Sequence, residues 1–122
     1  MPNPSVVGSR QWLADLMDEV YTQEIQALRE AGQREYAHSD DNAFRNFDTT
    51  GHETKVSPEL VLWIFMKKHL DGILAYINGH ESQREDVRGR INDTIVYLFI
   101  LRGLVERRDH LRAQPIPGDT PH

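Results

Sequence analysis

Residues 57–79, SPELVLWIFMKKHLDGILAYING, decide the fold class of this chain. Ser57 suits an N-cap, Pro58 fits the first helical position, and Glu59 places a negative charge at the positive end of the helix dipole. Asn78-Gly79 is a typical helix stop. Between these ends the apolar residues recur at helical spacing, so the stretch predicts a long helix. Its apolar positions are Leu60, Trp63, Ile64, Met66, Leu70, Ile73, Leu74 and Ile77.

Two further helices are predicted on either side of this one. Ser9 is a suitable N-cap for the first, which we expect to run to about Ala31 and to stop at Gly32. The residues Ser82-Gln83-Arg84-Glu85 match a capping box and predict the start of a third helix. That third helix is expected to end near Arg108, because basic residues suit the negative end of the dipole.

The segment between the first two helices, residues 33–56, lacks helical periodicity. Turn-forming residues are concentrated at 38–42 and at 48–52, which predicts a turn at each place. Phe44 and Phe47 are three residues apart, as on one helical turn. We expect that single turn to pin the segment to the core.

No stretch alternates between apolar and polar residues, so the predicted fold class is all-α: a helical bundle of three main helices. The length of 122 residues suits one domain. We expect a flexible N-terminus over residues 1–8, a single all-α domain over 9–112 and a disordered tail over 113–122. From Ile95 to Val105 the third helix is apolar on nearly every side. Because two neighbours cannot cover such a helix, the sequence predicts a homo-oligomer, a dimer or larger, that packs through the third helix.

Composition narrows the possible partners and location. The net charge of −5 argues against direct binding of nucleic acid, which needs a basic surface. The absence of cysteine excludes disulfides and thiolate metal sites, and it fits a reducing cytoplasm. The N-terminus does not resemble a signal peptide, and the longest apolar stretch, residues 60–66, is too short to span a bilayer. We therefore expect a soluble, cytoplasmic protein that does not bind membranes.

Polar clusters beside the apolar runs are the candidates for chemistry. Lys67 and Lys68 lie four and three residues before Asp71, so all three share a helix face. One interpretation is a pair of surface salt bridges with little energetic weight. The other is that a lysine contacts a phosphate while Asp71 helps to hold a divalent cation. Arg45 and Asn46, if they face a cleft, could contact a base or a phosphate.

The start of the third helix carries a second cluster. Asp86, Arg90 and Asp93 lie along one stripe of that helix. Asp93 comes one turn before Tyr97 and is expected at the rim of the core, where a carboxylate needs a cation, an arginine or a metal. The alternative for Asp93 is a structural ion pair with Arg90 or with a basic group on the second helix. A glycine inside a helix costs about 1 kcal/mol relative to alanine. Gly89 therefore predicts a place where another backbone or a ligand approaches closely.

The positions that carry a resemblance are Tyr36, Asn42, Phe44, Asn46, Phe47, Lys68, His69, Glu85, Gly89, Arg90, Ile91, Asp93 and Tyr97. In this order they resemble small bacteriophage proteins described as MazG-like nucleotide pyrophosphohydrolases. That group is similar in turn to the all-α nucleoside triphosphate pyrophosphatases. The resemblance covers residues 36–105 and is one of layout and scattered positions rather than of a single motif.

The resemblance implies an α-helical oligomer that uses Mg²⁺, held by carboxylates, to split a (d)NTP into (d)NMP and pyrophosphate. It implies that Asp93, with Glu85 or Asp86, supplies acidic metal ligands. It also implies that Lys68 faces the phosphates and that Asn46 lies near the nucleotide. The selected residues are Asp93, Glu85 and Asp71 for catalysis; Asp93, Asp86 and Glu85 for the metal; and Lys68, Arg90, Arg45, Asn46 and Lys67 for the substrate.

The chain departs from the family at its metal motif. Family members carry a Glu-x-x-Glu pair on one helix and a Glu-x-x-Asp pair on the next, and the second helix here has no Glu-x-x-Glu. Glu85 and Asp93 are eight residues apart, about 12 Å along a helix. Two alternatives therefore stay open. One is a phage protein that binds or sequesters a nucleotide, or a nucleotide signal, in the host cytoplasm without hydrolysis. The other is a helical protein-interaction module whose polar clusters are only salt bridges.

Overall fold

A computed structural model describes residues 5–37, 42–80 and 86–114, with the side chains of residues 32–37 left out. Within these ranges the chain is all-α and contains no strand. None of the helices in them combines the length and the apolar character that crossing a membrane requires. The helical segments are α1 (Arg10–Glu19), a π-helical segment (Val20–Ile25), α2 (Gln26–Ala37), α3 (Arg45–Thr54), α4 (Pro58–Ile77) and α5 (Val87–Ala113).

Helix α4 has the ends that the sequence predicts. The Ser57 side chain accepts a hydrogen bond from the Leu60 N–H at 3.2 Å, which caps the first turn. Pro58 is the first helical residue. At the other end the Asn78 N–H donates to the Leu74 carbonyl at 3.0 Å, one residue past the end of the helix. The predicted second helix is confirmed at both boundaries.

The N-terminal helix is longer than predicted. Backbone dihedrals stay helical at Glu19 and Gln26, where the π-helical segment meets its neighbours, so α1 and α2 form one continuous helix with it. Gly32 does not stop this helix, which continues to Ala37. Glycine disfavours a helix by only about 1 kcal/mol, and the good helix formers around it offset that cost.

The π-helical segment attaches the N-terminal helix to the rest of the molecule. The Thr22 hydroxyl donates to the Asp18 carbonyl at 2.8 Å, and such a bond competes with backbone N–H groups for the same acceptor. Ile25 is buried in the core, and the Asn92 side chain of α5 donates to Glu24 at 3.1 Å. The segment is therefore both the irregular part of this helix and a point where it is held.

Helix α1 lies apart from the other helices. Among the described residues, those of α1 pack against the π-helical segment that follows and against none of α2 to α5. As a result its apolar residues Leu13, Leu16 and Met17 stay exposed. The apolar periodicity predicts this helix correctly. Within one chain, however, the apolar side of the helix does not face the core.

Helix α3 replaces a predicted turn. Residues 48–52 belong to a ten-residue helix. Gly51 permits close packing there and does not form a turn. A Cβ on Gly51 would lie 2.7 Å from the Val56 carbonyl, where the chain folds back after the helix. Lys55, in the left-handed region at φ 60°, ends the helix. Phe47 is fully buried, so the prediction that it pins this segment to the core is confirmed.

Helix α5 begins later and ends later than predicted. Its first residue is Val87, and the Asp86 side chain caps it by accepting from the Arg88 N–H at 2.8 Å. The predicted capping box, residues 82–85, lies outside the described residues. The helix continues past Arg108 to Ala113, so residue 113 of the predicted tail is helical.

The core forms where α4 packs against α5 and α3. The apolar run of α5 is partly covered within the chain: Val96, Tyr97, Ile100 and Leu104 are buried, whereas Leu98, Phe99 and Val105 are between 41% and 51% exposed. The core consists of Ile25, Phe47, Val61, Leu62, Met66, Val96, Tyr97, Ile100 and Leu104.

Candidate functional site

Asp93 faces a histidine on the opposite helix. The Asp93 carboxylate lies 3.5 Å from Nδ1 of His69, an ion pair when the histidine is protonated. His69 is buried at 8% exposure, and its ring lies 5.6 Å from that of Tyr97. Its Nδ1 makes no hydrogen bond with the described residues. The Asp93 side chain is 27% exposed, so it occupies the rim of the core, as predicted.

Arg90 crosses from α5 onto α4. Its Nη1 lies 3.4 Å from the Lys68 carbonyl, and its side chain covers Gly72, where a Cβ would lie 2.6 Å from the Arg90 Cδ. A Cβ on Gly89, by contrast, would have no other atom of the described residues within 4 Å. The described residues therefore make no close approach at Gly89, whereas the Arg90 side chain makes one at Gly72. We call Lys68, His69, Gly72, Arg90 and Asp93 the α4–α5 junction.

Lys67 and Asp71 pair with each other on the exposed side of α4. Lys67 Nζ is 3.5 Å from the Asp71 carboxylate, and the two side chains are 63% and 65% exposed. Neighbouring residues on the same helix form this pair, which favours its interpretation as a surface salt bridge of little energetic weight. This pair gives Asp71 a partner on α4, not on α5, and so does not support the predicted catalytic role of Asp71.

Asp86 is engaged as a helix cap. The backbone N–H of Arg88 is the main cause that lowers the pKa of Asp86 from its ordinary value, and the Arg88 charge adds to the effect. The carboxylate is 63% exposed. Glu85 lies outside the described residues. Arg45 and Asn46 lie on the first turn of α3, and no hydrogen bond among the described residues links either to the α4–α5 junction.

The described residues do not assemble the carboxylate set that Mg²⁺ prefers. Among them no three histidine, aspartate or glutamate side chains are close enough together to hold a metal ion. Asp71 pairs with a lysine, Asp86 caps a helix, and Asp93 faces a histidine. Because the donors do not fit, we assign no metal-dependent step to these residues.

Two residues that helical spacing does not pair form a salt bridge with two hydrogen bonds. Arg107 donates to both carboxylate oxygens of Asp48, at 2.7 Å and 2.9 Å, and joins α5 to α3. The Asn42 side chain donates to the same carboxylate at 2.9 Å. The Arg107 guanidinium also lies 4.7 Å from the centre of the Phe44 ring. We call these four residues the α3–α5 clasp.

The electrostatics of the clasp follow from its geometry. The hydrogen bonds from Arg107 are the main cause that holds the pKa of Asp48 below its ordinary value, and burial opposes them. The same bonds raise the pKa of Arg107. Both side chains are 31% exposed. A separation of 59 residues hides this pair from any argument based on helical spacing.

An open groove lies between α2 and α5. Its volume is about 570 Å³, within the range of small-molecule sites. Arg29, Phe44 and Phe99 are among the residues that line it, and Gly103 forms part of its floor. None of the predicted catalytic, metal or substrate residues that the structure describes lines this groove.

Comparison with protein-family models, with curated proteins and with solved structures finds no match to this chain.

Proposed function

We propose that this protein binds a nucleotide through its phosphate groups at the α4–α5 junction, as a homo-oligomer. The placement of Arg90, three residues before Asp93 on α5, carries the proposal: its guanidinium reaches α4 and lies beside the Lys68 carbonyl. Lys68 is exposed and makes no ion pair with any described residue. Arginine and lysine side chains are the usual partners of phosphate oxygens.

The resemblance to MazG-like phage proteins supports the choice of a nucleotide as the ligand. Three of its positions belong to the α4–α5 junction: Arg90 contacts the backbone carbonyl of Lys68, and Asp93 faces His69. The partly exposed apolar surface supports an oligomer. On α5 the residues Ile91 and Leu98 are 42% and 49% exposed, and the predicted contact through this helix would cover them.

Hydrolysis to (d)NMP and pyrophosphate with Mg²⁺ is the second candidate. Asp93 favours it, because it is the one predicted metal ligand that the described part of the chain places at the rim of the core. Glu85, or a carboxylate from a second copy, would have to complete the set. This candidate therefore requires an assembly that the described residues of one chain do not supply.

A thermal-shift experiment with the full chain tests both candidates. The probes are the four dNTPs and ATP, each with Mg²⁺ and with EDTA. A ligand that binds only the folded state at about 100 times its dissociation constant adds about 2.7 kcal/mol of stability. We expect a raised melting temperature with at least one nucleotide. Release of pyrophosphate only with Mg²⁺ would select hydrolysis. No change in melting temperature with any probe would contradict both candidates and favour a protein-interaction module.

Matched variants locate the binding site. Lys68→Gln should weaken nucleotide binding by about tenfold, as expected for one lost contact between charged groups. Lys55→Gln removes one positive charge from an exposed position at the end of α3 and should leave the affinity unchanged. Gly72→Ala keeps the charge of Arg90 but displaces its side chain, so it should weaken binding as well. Equal effects of Lys68→Gln and Lys55→Gln would contradict the site.

A further inference from the structure

The outward face of α4 is unusually apolar for a helix at the surface of one chain. Among the described elements this helix packs against α3 and α5, and both cover the side that carries Leu62, Met66 and His69. On the opposite side the large apolar residues Leu60, Trp63, Ile64 and Leu74 are between 43% and 56% exposed. A helix that is apolar on both sides is normally covered on both.

The only charged side chains in the middle of this face are Lys67 and Asp71, among the described residues of α4. Successive residues of an α-helix are 100° apart, so positions 60, 63, 64, 67, 71 and 74 fall on one stripe. We call these six residues the α4 stripe. It reads apolar, then positive, then negative, then apolar along the helix.

This order makes the α4 stripe complementary to itself in the antiparallel direction. Trp63 and Ile64 lie six and five residues before His69, and Leu74 and Ala75 lie five and six residues after it. Both pairs are therefore about 7–9 Å from the level of His69 along the helix. A two-fold axis at that level places Lys67 of each copy beside Asp71 of the other.

We propose that a second copy of this chain binds the α4 stripe, with the two α4 helices antiparallel. Trp63 and Ile64 of one copy pack against Leu74 and Ala75 of the other, and two Lys67–Asp71 contacts cross the centre. Two-fold symmetry requires a self-complementary patch of this kind. The charges set the antiparallel register, because any parallel alignment at the same level brings like charges together.

The inference gives the proposed homo-oligomer a specific contact and does not depend on nucleotide binding. It differs from the contact through α5 that the sequence predicts. The α5 helix offers a matched comparison, because Arg102 and Glu106 form the same kind of exposed pair four residues apart, at 2.7 Å.

Charge reversal on the full chain, without nucleotide, tests the α4 contact by sedimentation equilibrium. Lys67→Asp places four carboxylates at the centre and should weaken the dimer by at least about tenfold. Asp71→Lys should do the same through four ammonium groups. The double variant Lys67→Asp/Asp71→Lys restores both contacts and should return the dissociation constant to near that of the wild type. Circular dichroism should show unchanged helix content in all three.

The outcomes separate the proposals. A wild type that stays monomeric at every concentration overturns the oligomer itself. A dimer that survives Lys67→Asp but is lost on Arg102→Glu places the contact on α5 and overturns the α4 contact. A double variant as weak as the single ones overturns the antiparallel register.

Trp63 gives a second, local readout. Removing the other tryptophan by Trp12→Phe leaves Trp63 as the only one in the chain. If the α4 stripe is covered in the dimer, the emission of Trp63 shifts to longer wavelength on dilution, as its 48%-exposed ring meets water. A dimer whose Trp63 emission stays constant on dilution contradicts the contact.

Discussion

Two aspartate–cation pairs in this molecule have similar chemistry and opposite roles. In the α3–α5 clasp, Arg107 holds Asp48 with two bonds of 2.7 Å and 2.9 Å across 59 residues of sequence. On α4, Lys67 and Asp71 make one contact of 3.5 Å between neighbours on the same helix, about two-thirds exposed. The clasp fixes two helices relative to each other. The α4 pair fixes nothing within one chain, which leaves it available to a second copy.

Phe47 gives the largest expected effect on the clasp side of this comparison. Phe47 precedes Asp48 on α3, and its fully buried ring lies 5.8 Å from the ring of Phe65. Phe47→Ala should lower the free energy of unfolding by about 3–5 kcal/mol through the lost apolar contacts and the cavity left behind. Denaturant unfolding measures it. A loss below about 1 kcal/mol would show that α3 is not anchored through this residue.

The clasp itself should have the next largest effect. Removing either partner by Asp48→Ala or Arg107→Ala should cost about 1–2 kcal/mol, in the lower part of the range for charged hydrogen bonds because both side chains are partly exposed. A double-mutant cycle isolates the pair, since both single variants should cost nearly as much as the double variant. Additive losses would contradict a direct contact between the two residues.

The sequence predicts the ion pair on α4 but not the clasp. Helical spacing predicts that Lys67 and Asp71 meet, and they do, but it gives no weight to a contact between residues 48 and 107. Spacing describes neighbours along one helix, whereas the clasp depends on how α3 packs on α5. The same limit applies at Gly72, because its close contact with Arg90 depends on how α4 packs on α5.

Helix ends and apolar periodicity predict the fold class and both ends of α4, because Ser57, Pro58 and Asn78 act locally. Glycine positions mislead in two ways: at Gly32 the helix continues through good helix formers, and at Gly51 the glycine permits close packing instead of a turn. The residues predicted for the site differ in the same way: some positions follow from local spacing, and others depend on packing between helices. The location of Asp93 follows from its position on the helix beside the core, and the residue lies at the rim, as predicted.

Acid should remove part of the stability that the clasp provides. The folded-state pKa of Asp48 is lowered, chiefly by Arg107, so its stabilisation is present above the unfolded pKa and is lost as pH falls through the folded pKa. The difference in unfolding free energy between wild type and Asp48→Asn should therefore shrink between about pH 6 and about pH 3. A difference that stays constant over this range would mean that the carboxylate charge is not the source.

Lys67→Ala should have the smallest effect on the folding of one chain. At concentrations where the chain is monomeric, it should change the free energy of unfolding by less than about 0.5 kcal/mol, as for exposed pairs four residues apart. Thermal unfolding of the dilute protein measures it. A loss as large as that of Asp48→Ala would give the α4 pair a structural role within the chain and would remove the contrast between the two pairs.

The most direct test of the proposed function compares the α4–α5 junction with the α3–α5 clasp by amide NMR. A nucleotide that raises the melting temperature is titrated into uniformly ¹⁵N-labelled protein. We predict that the chemical shifts of Lys68, Gly72, Arg90 and Asp93 change, while those of Asp48 and Arg107 do not. Changes confined to residues of the groove, such as Arg29 and Phe99, or no changes at saturating nucleotide, would contradict binding at the α4–α5 junction.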